Sequence, residues 1–524
     1  MRANGEPDLT VQTRRPAEKR EFLAVAAVLG LAVLARLEHL GTRTLWGDEG
    51  FALDLARRGF FDLLTHLRGT DAHPLGYYVM LSYWIRTVGE DLAMMRALSA
   101  IFGVAAVALT WWLGRRLFSP AVGVGAAALM ALNPFQIFAS NELRMYMPLE
   151  FLVLASTLIL WRARSERGYG WWLAYGASLA AMAYISYYAF LLMPAHLVWI
   201  LLHEKPREAL RRMGVALGTA AVLYAPWIPY VSGVVTFLRT NQLSLRGQTI
   251  TWTYVPELVA AQTFGGYLFN GVTYHTLQAL DFMSYVPLLV PFVLLAAIGY
   301  GALGTINRSA RMLIVLSWAI PVALVVAVSF AAGGIAAYYY HLNFLAPFLA
   351  FALAAGVVHF RDIVTTAPRP LVTLGAAIGV LAFVAPAVEN LQSNPSYQSY
   401  RYDNAARLVR KLYQTGDVVI FLPGGVSKAF HFYFDPPGKE FGIAVVRGGW
   451  TRQALQEPIR EVTQSLGPND KRVWLVYGPP IPEGAVDDLL KAIEGRGYKR
   501  AEVNDYRGIR VGLLVRPVKQ HGSN

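Results

Sequence analysis

The chain of 524 residues is 55% hydrophobic and only 15% charged, whereas an average soluble domain carries about 25% charged residues. This composition excludes a soluble globular protein and indicates an integral membrane protein in a lipid bilayer. Its 47 basic and 34 acidic residues give a net charge of +13. The basic residues form short clusters between apolar segments, as the positive-inside rule predicts. We therefore expect no nucleic-acid partner.

The sequence contains no cysteine. This excludes disulfide bonds, thiolate metal ligands and a cysteine nucleophile. Any metal ligand would have to be a carboxylate, a histidine or a carbonyl group. No cofactor and no metal ligand is assigned, and a divalent cation is left open.

Eleven apolar segments approach the length of about 20 residues that a membrane-spanning helix needs. The predicted spans are 21–40, 93–114, 121–139, 146–162, 171–187, 188–203, 213–231, 285–304, 311–331, 342–359 and 370–388. The first follows a basic N-terminus that lacks a small-residue cleavage site, so an uncleaved helix is predicted rather than a signal peptide.

Segment 74–89 is apolar but short and contains Arg86. If it does not cross the membrane, all the basic clusters fall on one face, which the positive-inside rule assigns to the cytoplasm. We therefore predict an interfacial or re-entrant helix at 74–89, a cytoplasmic N-terminus and an extracytoplasmic C-terminus in the inner (cell) membrane. The outer face then carries loop 41–92, the loop around 141–146, loop 232–284, the turn 332–341 and the tail from about 389.

The chain after residue 388 differs in character from the part before it. Charged helical stretches at 404–413 and 486–497 alternate with strand-like runs at 417–422, 471–477 and 509–515. Such alternation is typical of a small α/β domain. The predicted organisation is a transmembrane domain, residues 1–388, followed by an extracytoplasmic α/β domain, residues 389–524.

Asp48 and Glu49 directly follow the first apolar segment. Ionisable groups held close to lipid are functional candidates by default, and a carboxylate there can act as a base on a lipid-carried substrate. The alternative is that they cap the helix that starts after Gly47, as carboxylates do well. One of the two residues then serves only as a cap.

Further polar and aromatic residues fall on the same predicted face. Glu142 and Arg144 form either part of a site or a local salt bridge, or Arg144 snorkels at a helix end. His73 before Pro74 is either a site residue or a turn residue. The aromatic runs indicate either sugar contacts or an interfacial aromatic belt. They comprise Tyr338, Tyr339, Tyr340 and His341, together with Trp252, Tyr254, Phe264, Tyr267 and Tyr274 in loop 232–284.

Five motifs then stand in order along the first 150 residues. They are Asp48-Glu49, His73-Pro74-Leu75-Gly76-Tyr77-Tyr78, Arg96-Ala97-Leu98-Ser99-Ala100-Ile101-Phe102-Gly103, Gly114-Arg115-Arg116-Leu117-Phe118 and Ser140-Asn141-Glu142-Leu143-Arg144-Met145-Tyr146. In this order the chain resembles the GT-C glycosyltransferases of the protein mannosyltransferase and aminoarabinose transferase type. The implied fold class is an α-helical polytopic membrane protein with the GT-C fold and about eleven spans, carrying the small C-terminal domain.

The resemblance implies transfer of a monosaccharide from a polyprenyl-phosphate-linked donor to a glycan, lipid or protein acceptor at the outer face. It assigns the catalytic carboxylate to Asp48 with Glu49 beside it, and a donor and phosphate site to Glu142, Arg144, Tyr146 and His341. His73 and Tyr340 would position the acceptor or the loops. Leu75 replaces the second proline of the family's pattern, and Tyr340-His341 stand where relatives often have an Arg-Tyr pair.

The chemistry agrees with this assignment. A phosphodiester leaves as a stable anion, so it needs a cation such as Arg144 more than a general acid. An acceptor hydroxyl needs a base to remove its proton in the transition state. One base without a separate nucleophile predicts a single displacement with inversion at the anomeric carbon. The alternatives are a metal-dependent oligosaccharide transferase with the metal bridged by Asp48 and Glu49, and a transporter or flippase for lipid-linked sugars.

Overall fold

The computed structural model describes residues 10–38, 40–67, 73–233, 236, 253–263, 282–331, 339–364, 400–444, 451–478, 481–506 and 508–517. The helices before residue 365 are α1 (Thr10–Leu37), α2 (Gly47–Arg57), α3 (Phe60–Leu67), α4 (Gly76–Val88), α5 (Leu92–Leu117), α6 (Pro120–Leu132), α7 (Pro134–Ser140), α8 (Tyr146–Ser165), α9 (Gly170–Ile185), α10 (Leu192–His203), α11 (Pro206–Tyr224), α12 (Tyr254–Thr263), α13 (Phe282–Ile306), α14 (Arg308–Ala331) and α15 (Ala346–Val364). Three 3₁₀ segments, Tyr187–Leu191, Ala225–Trp227 and Tyr339–Leu345, lie between them.

Six helices of the described chain are long and apolar enough to cross a membrane, and a bent pair makes a seventh. The six are Leu92–Leu117, Tyr146–Ser165, Pro206–Gly233, Leu289–Ile306, Arg308–Ala331 and Tyr339–Phe360. The predicted span 121–139 is the bent pair, in which α6 and α7 meet at 64°. The predicted span 370–388 and the domain boundary at 388 lie outside the described residues. The count of eleven spans therefore stays a prediction.

The bend between α6 and α7 follows from the local sequence. Pro134 begins α7, and proline cannot donate the backbone hydrogen bond that would continue α6. The Asn133 side chain instead accepts hydrogen bonds from the amides of Phe135 and Gln136, at 2.9 and 3.1 Å, which starts a new helix. After the bend α7 packs against α5, and the loop after α7 reaches Glu49 of α2 through the Leu143 amide.

Helix α4 has only thirteen residues, Gly76–Val88, fewer than the roughly 20 that a span needs. It packs against α2, α5 and α9. Its first residue lies against α9, since a Cβ added at Gly76 would come within 2.5 Å of the Tyr184 carbonyl oxygen. Glycine therefore allows α4 to begin this close to a neighbouring backbone.

The basic clusters collect at one end of the helix bundle. Helices α5 and α8 both begin beside the loops that carry Asp48 and Glu142, and both end in arginines. Arg162 lies over the ring of Trp171, and Arg211 lies over Tyr169. This basic end is therefore opposite to the predicted catalytic loops.

The C-terminal domain is the α/β unit that the sequence predicts. Its helices are α16 (Tyr402–Leu412), α17 (Val426–Tyr433), α18 (Arg452–Gln464) and α19 (Ala485–Glu494), and its strands are β1 (Val418–Leu422), β2 (Glu440–Gly442), β3 (Arg472–Tyr477), β4 (Lys499–Tyr506) and β5 (Ile509–Val515). The sheet order is β2-β1-β3-β5-β4. Strands β2, β1 and β3 are parallel, whereas β5 runs antiparallel to β3 and β4.

Candidate functional site

The side chain of Glu49 is fully enclosed between two loops. Both of its oxygens accept hydrogen bonds from Arg96, at 2.8 and 2.6 Å. The Leu143 amide donates to Oε1 at 2.9 Å, and the Trp46 amide donates to Oε2 at 3.4 Å. Burial alone would raise the pKa of Glu49, but the Arg96 charge and these donors hold it below its ordinary value. Glu49 thus ties the start of α2 to α5 and to the loop before α8.

Arg96 donates most of the hydrogen bonds in this connection. Besides Glu49, its guanidinium donates to three backbone carbonyls of the loop between α1 and α2, those of Leu40, Arg43 and Thr44, at 3.2, 2.9 and 3.1 Å. Its side chain is completely buried. Because a guanidinium presents its donors in a rigid fork, Arg96 fixes the course of the loop that leads to Asp48.

Glu142 makes the second connection between the two loops. Its carboxylate pairs with Arg43 and accepts a hydrogen bond from the Trp46 indole at 2.7 Å. Arg43 also donates to the Asn141 carbonyl at 2.8 Å. Burial raises the pKa of Glu142 to about 7, against the opposing charge of Arg43. The local salt bridge between Glu142 and Arg144 that the sequence suggested is not formed, because Glu142 pairs with Arg43 instead.

Asp48 and Arg144 form the part of this cluster that faces outwards. The Asp48 side chain is 45% exposed and that of Arg144 is 5% exposed, and Arg144 Nη2 lies 3.8 Å from Asp48 Oδ2. Arg144 Nη2 also lies 3.4 Å from His73 Nε2, and its Nε has no hydrogen-bond partner. An accessible carboxylate therefore stands directly over a nearly buried cation.

Aromatic rings continue the cluster away from Arg144. The ring centroids of Tyr146 and Tyr340 are 5.2 Å apart, those of Tyr340 and His341 are 4.5 Å apart, and Tyr188 stacks on His341 at 4.5 Å. The structure thus brings together all eight residues to which the resemblance assigns a role. Rings of this kind offer flat faces to a sugar or a lipid chain.

Loop 232–284 contributes α12 to the same cluster of rings. The Tyr254 ring lies 5.4 Å from that of Tyr339, and the Tyr339 hydroxyl donates to the buried carboxylate of Glu257. Glu257 is not among the residues that the sequence predicts for the site. Trp252, Phe264, Tyr267, Tyr274 and Tyr338 lie outside the described residues.

The C-terminal domain docks directly on α2 and the loop before it. The Leu45 amide donates to the Tyr433 hydroxyl at 2.7 Å, the Thr44 hydroxyl donates to the Tyr400 carbonyl at 2.9 Å, and Lys428 pairs with Asp54 at 3.0 Å. The pKa of Asp54 lies below its ordinary value, because Lys428 and Arg58 outweigh the effect of burial. The domain therefore holds the segment that presents Asp48.

Arg43, Trp46 and Arg96 are site residues to which the sequence analysis gave no role. A signal was present, because Arg43 and Arg96 stand on the side where the positive-inside rule predicts few basic residues. Away from these loops, His431, Asp435 and Glu440 are the one group in the described chain that brings three metal-ligating side chains within 4.8 Å. That group belongs to the C-terminal domain.

The chain is similar to a family model and to several solved structures. Residues 72–232 match the family model described as dolichyl-phosphate-mannose-protein mannosyltransferase. No curated protein matches the chain in sequence. Two solved structures of ArnT from Cupriavidus metallidurans are similar, each with a TM-score of 0.59: the apo form at 13% identity, covering 95% of this chain and 98% of that one, and the form bound to undecaprenyl phosphate at 14% identity, covering 96% and 99%.

An oligosaccharyltransferase of Archaeoglobus fulgidus, solved with zinc and sulfate, is also similar. It is 13% identical, with a TM-score of 0.54, and the match covers 93% of this chain and 72% of that one. At these identities the structural likeness establishes the fold, and the family model adds sequence evidence for residues 72–232. The chain is therefore an integral membrane protein with the GT-C fold, and the resemblance to glycosyltransferases of the protein mannosyltransferase and aminoarabinose transferase type is confirmed.

Proposed function

We propose that this protein transfers a monosaccharide from a polyprenyl-phosphate donor to an acceptor at the outer face of the membrane, with Asp48 as the base and inversion at the anomeric carbon. The observation that carries the proposal is the exposed Asp48 carboxylate, 3.8 Å from the nearly buried Arg144 guanidinium. The bound undecaprenyl phosphate in a structure of ArnT supports a donor of this class.

The two groups suit the two halves of the reaction. Arg144 Nη2 has long contacts, 3.8 Å to Asp48 Oδ2 and 3.4 Å to His73 Nε2, and can turn to donate to the departing phosphate, an anion that arginine binds with charge-assisted hydrogen bonds. Asp48 is accessible and can accept the proton of an acceptor hydroxyl as the new bond forms. The hydroxyl proton moves to Asp48 as the acceptor oxygen bonds to the anomeric carbon. The electron pair of the broken glycosyl bond leaves with the phosphate, and no covalent enzyme intermediate is required.

Glu49 and Glu142 have a different role in this proposal. Both carboxylates are enclosed and already accept hydrogen bonds from arginine and tryptophan side chains or from backbone amides. We therefore assign them to positioning the two loops rather than to contact with substrate. The same geometry disfavours a metal bridged by Asp48 and Glu49, because the Glu49 oxygens already accept four hydrogen bonds.

The transporter alternative has one observation in its favour. Arg36 and Glu150 are buried within helices of the bundle, and intramembrane charges often mark transport pathways. All three Arg36 nitrogens, however, donate to neighbouring protein groups, and one Glu150 oxygen accepts from Asn343 at 3.1 Å, whereas the other is buried with no hydrogen-bond partner in the described chain. Glu150 is also only one helical turn from Tyr146. We therefore infer that Arg36 and Glu150 connect the helices beneath the site and do not mark a transport pathway.

The test is sugar transfer by purified protein in detergent, where no membrane sidedness exists. We expect wild type to transfer sugar from a polyprenyl-phosphate monosaccharide, and Asp48→Asn to lower the turnover by a factor of about 10² to 10⁴, the usual contribution of a general base, without weakening donor binding. Asp62→Asn, an exposed carboxylate on α3, is the matched control. Normal turnover by Asp48→Asn would reject the assignment, and retention of configuration in the product would contradict the single displacement.

A further inference from the structure

A cleft opens at the basic end of the bundle, between the last turns of α5 and α8 and the first turn of α9. Its volume is about 380 Å³, within the range of about 300–1,000 Å³ that is usual for ligand pockets. Three indole rings and two guanidinium groups line it, those of Trp112, Trp161, Trp171, Arg116 and Arg162. Glu166 lines it as well, so the cleft is a mostly apolar hollow with two positive charges and one negative charge.

The cleft is far from the predicted catalytic site. Helix α5 connects the two and has 26 residues, so at about 1.5 Å of rise per residue its ends are about 39 Å apart. Asp48, in the first turn of α2, and Arg144, in the loop before α8, lie near the starts of α5 and α8, whereas Arg116 and Arg162 stand at the ends of these two helices. The donor site and this cleft therefore open at opposite ends of the bundle.

The charges in the cleft are not all neutralised. Arg162 lies 5.5 Å from the centroid of the Trp171 ring and pairs with Glu166 at 3.0 Å, but both partners of that pair are about half exposed, and such pairs are weak. Arg116 has no ion pair within the part of the chain that the structure describes. The cleft therefore carries a net positive charge.

We propose that this cleft binds the headgroup of an anionic phospholipid. Its phosphate would lie between Arg116 and Arg162, with the glycerol and upper acyl chain against the indole rings. Basic pockets between spanning helices bind anionic headgroups in this way. The side chains of Trp112 and Trp171 are 47% and 41% exposed, as expected where the cleft opens to the bilayer. Tryptophan and arginine side chains that only anchor helices at the membrane interface need no cleft between them, whereas a bound headgroup needs one.

The experiment measures the melting temperature of the full chain in nanodiscs of phosphatidylcholine alone and of an equal mixture with phosphatidylglycerol. We expect the anionic lipid to raise the melting temperature, because a ligand that binds only the folded state stabilises it. The double variant Arg116→Gln/Arg162→Gln should lose most of this increase. Native mass spectrometry should find phosphatidylglycerol retained by wild type and lost from the variant.

Two further variants separate the cleft from general surface charge. Arg207→Gln/Arg211→Gln removes the same charge from the same end of the bundle, on exposed positions of α11, and should keep the increase. Ile159→Phe fills the cleft while keeping both arginines, and should lose it. The single variant Arg116→Gln, at an exposed and unpaired position, serves if the double variant does not fold.

Three results would overturn the proposal. An equal loss in Arg207→Gln/Arg211→Gln would indicate diffuse electrostatic attraction, and an unchanged increase in Ile159→Phe would show that the hollow is not occupied. If inorganic phosphate alone reproduces the full increase in detergent, the ligand is a free anion and not a lipid.

Discussion

Glu49 and Arg96 form a wholly enclosed ion pair, with Arg96 Nη2 2.6 Å from Glu49 Oε2 and neither side chain exposed. The side chain of the adjacent residue, Asp48, is 45% exposed, and its Oδ2 lies 3.8 Å from Arg144 Nη2. Two consecutive carboxylates therefore stand in opposite environments. Glu49 holds the loop, and Asp48 is accessible from outside.

This contrast predicts that two conservative substitutions reduce stability by very different amounts. Glu49→Gln leaves Arg96 buried without a counter-charge, and breaking a buried pair in this way costs about 3–5 kcal/mol. Asp48→Asn removes only a partly exposed pair, worth at most about 1 kcal/mol. Thermal or denaturant unfolding in detergent measures both. The double variant Glu49→Gln/Arg96→Met should be more stable than Glu49→Gln, and equal losses in the two single variants would contradict the division of roles.

Arg144 should act mainly through the donor. Arg144→Gln removes a charge-assisted contact to phosphate, worth about 1.5–3 kcal/mol, so we expect the KM for the donor to rise about 10- to 100-fold, while the KM for the acceptor stays unchanged. Arg144→Lys should recover part of this loss, because lysine keeps the charge but not the fork of donors. Arg57→Gln, in an exposed pair on α2, is the control. An unchanged donor KM would rule out a phosphate contact.

Glu142 should make stability depend on pH near neutrality. Its pKa rises from 4.5 to about 7 on folding. Between those values the folded chain holds a proton that the unfolded chain has released, so the free energy of unfolding falls as the pH rises from 4.5 to 7. At about 1.4 kcal/mol per pKa unit the total is about 3 kcal/mol.

Unfolding measured from pH 5 to 8 checks this slope. Glu142→Gln cannot titrate and should flatten it, whereas Glu457→Gln on the exposed face of α18 should leave it unchanged. A wild-type slope that persists in Glu142→Gln would assign the dependence to another group.

The sequence predicts the fold class and the residues of the site better than it predicts the hydrogen bonds and ion pairs that connect those residues. Hydropathy predicts apolar helices, six or seven of which the described chain shows, and the motifs and the predicted sidedness single out Asp48, Arg144 and Tyr340, because these signals are local. Which carboxylate is enclosed depends on Arg96, 47 positions after Glu49, and a long-range pairing of this kind has no local signal. The docking of Tyr433 on Leu45 spans 388 positions and could not be predicted for the same reason.

Helices α2 and α17 pack so closely that a substitution adding one methyl group between them tests the contact. A Cβ added at Gly50 would lie 2.5 Å from the backbone nitrogen of Ala429 and 2.8 Å from the carbonyl carbon of Lys428, distances that real side chains do not adopt. Gly50→Ala should therefore displace the C-terminal domain from α2. Gly59→Ala, where a Cβ meets nothing within 4 Å, is the matched control.

Because the chain has no cysteine, spin labels on introduced cysteines can report this displacement without background. Phe61 and Asp435 are suitable sites, since their side chains are 81% and 82% exposed on elements next to the contact. We expect one narrow distance distribution in wild type and in Gly59→Ala, and a broader or longer one in Gly50→Ala. Turnover should fall in Gly50→Ala as well, because Tyr433 would no longer hold the segment that presents Asp48. An unchanged distribution in Gly50→Ala would mean that the domain does not rest on α2, and a displaced domain with normal turnover would separate docking from catalysis.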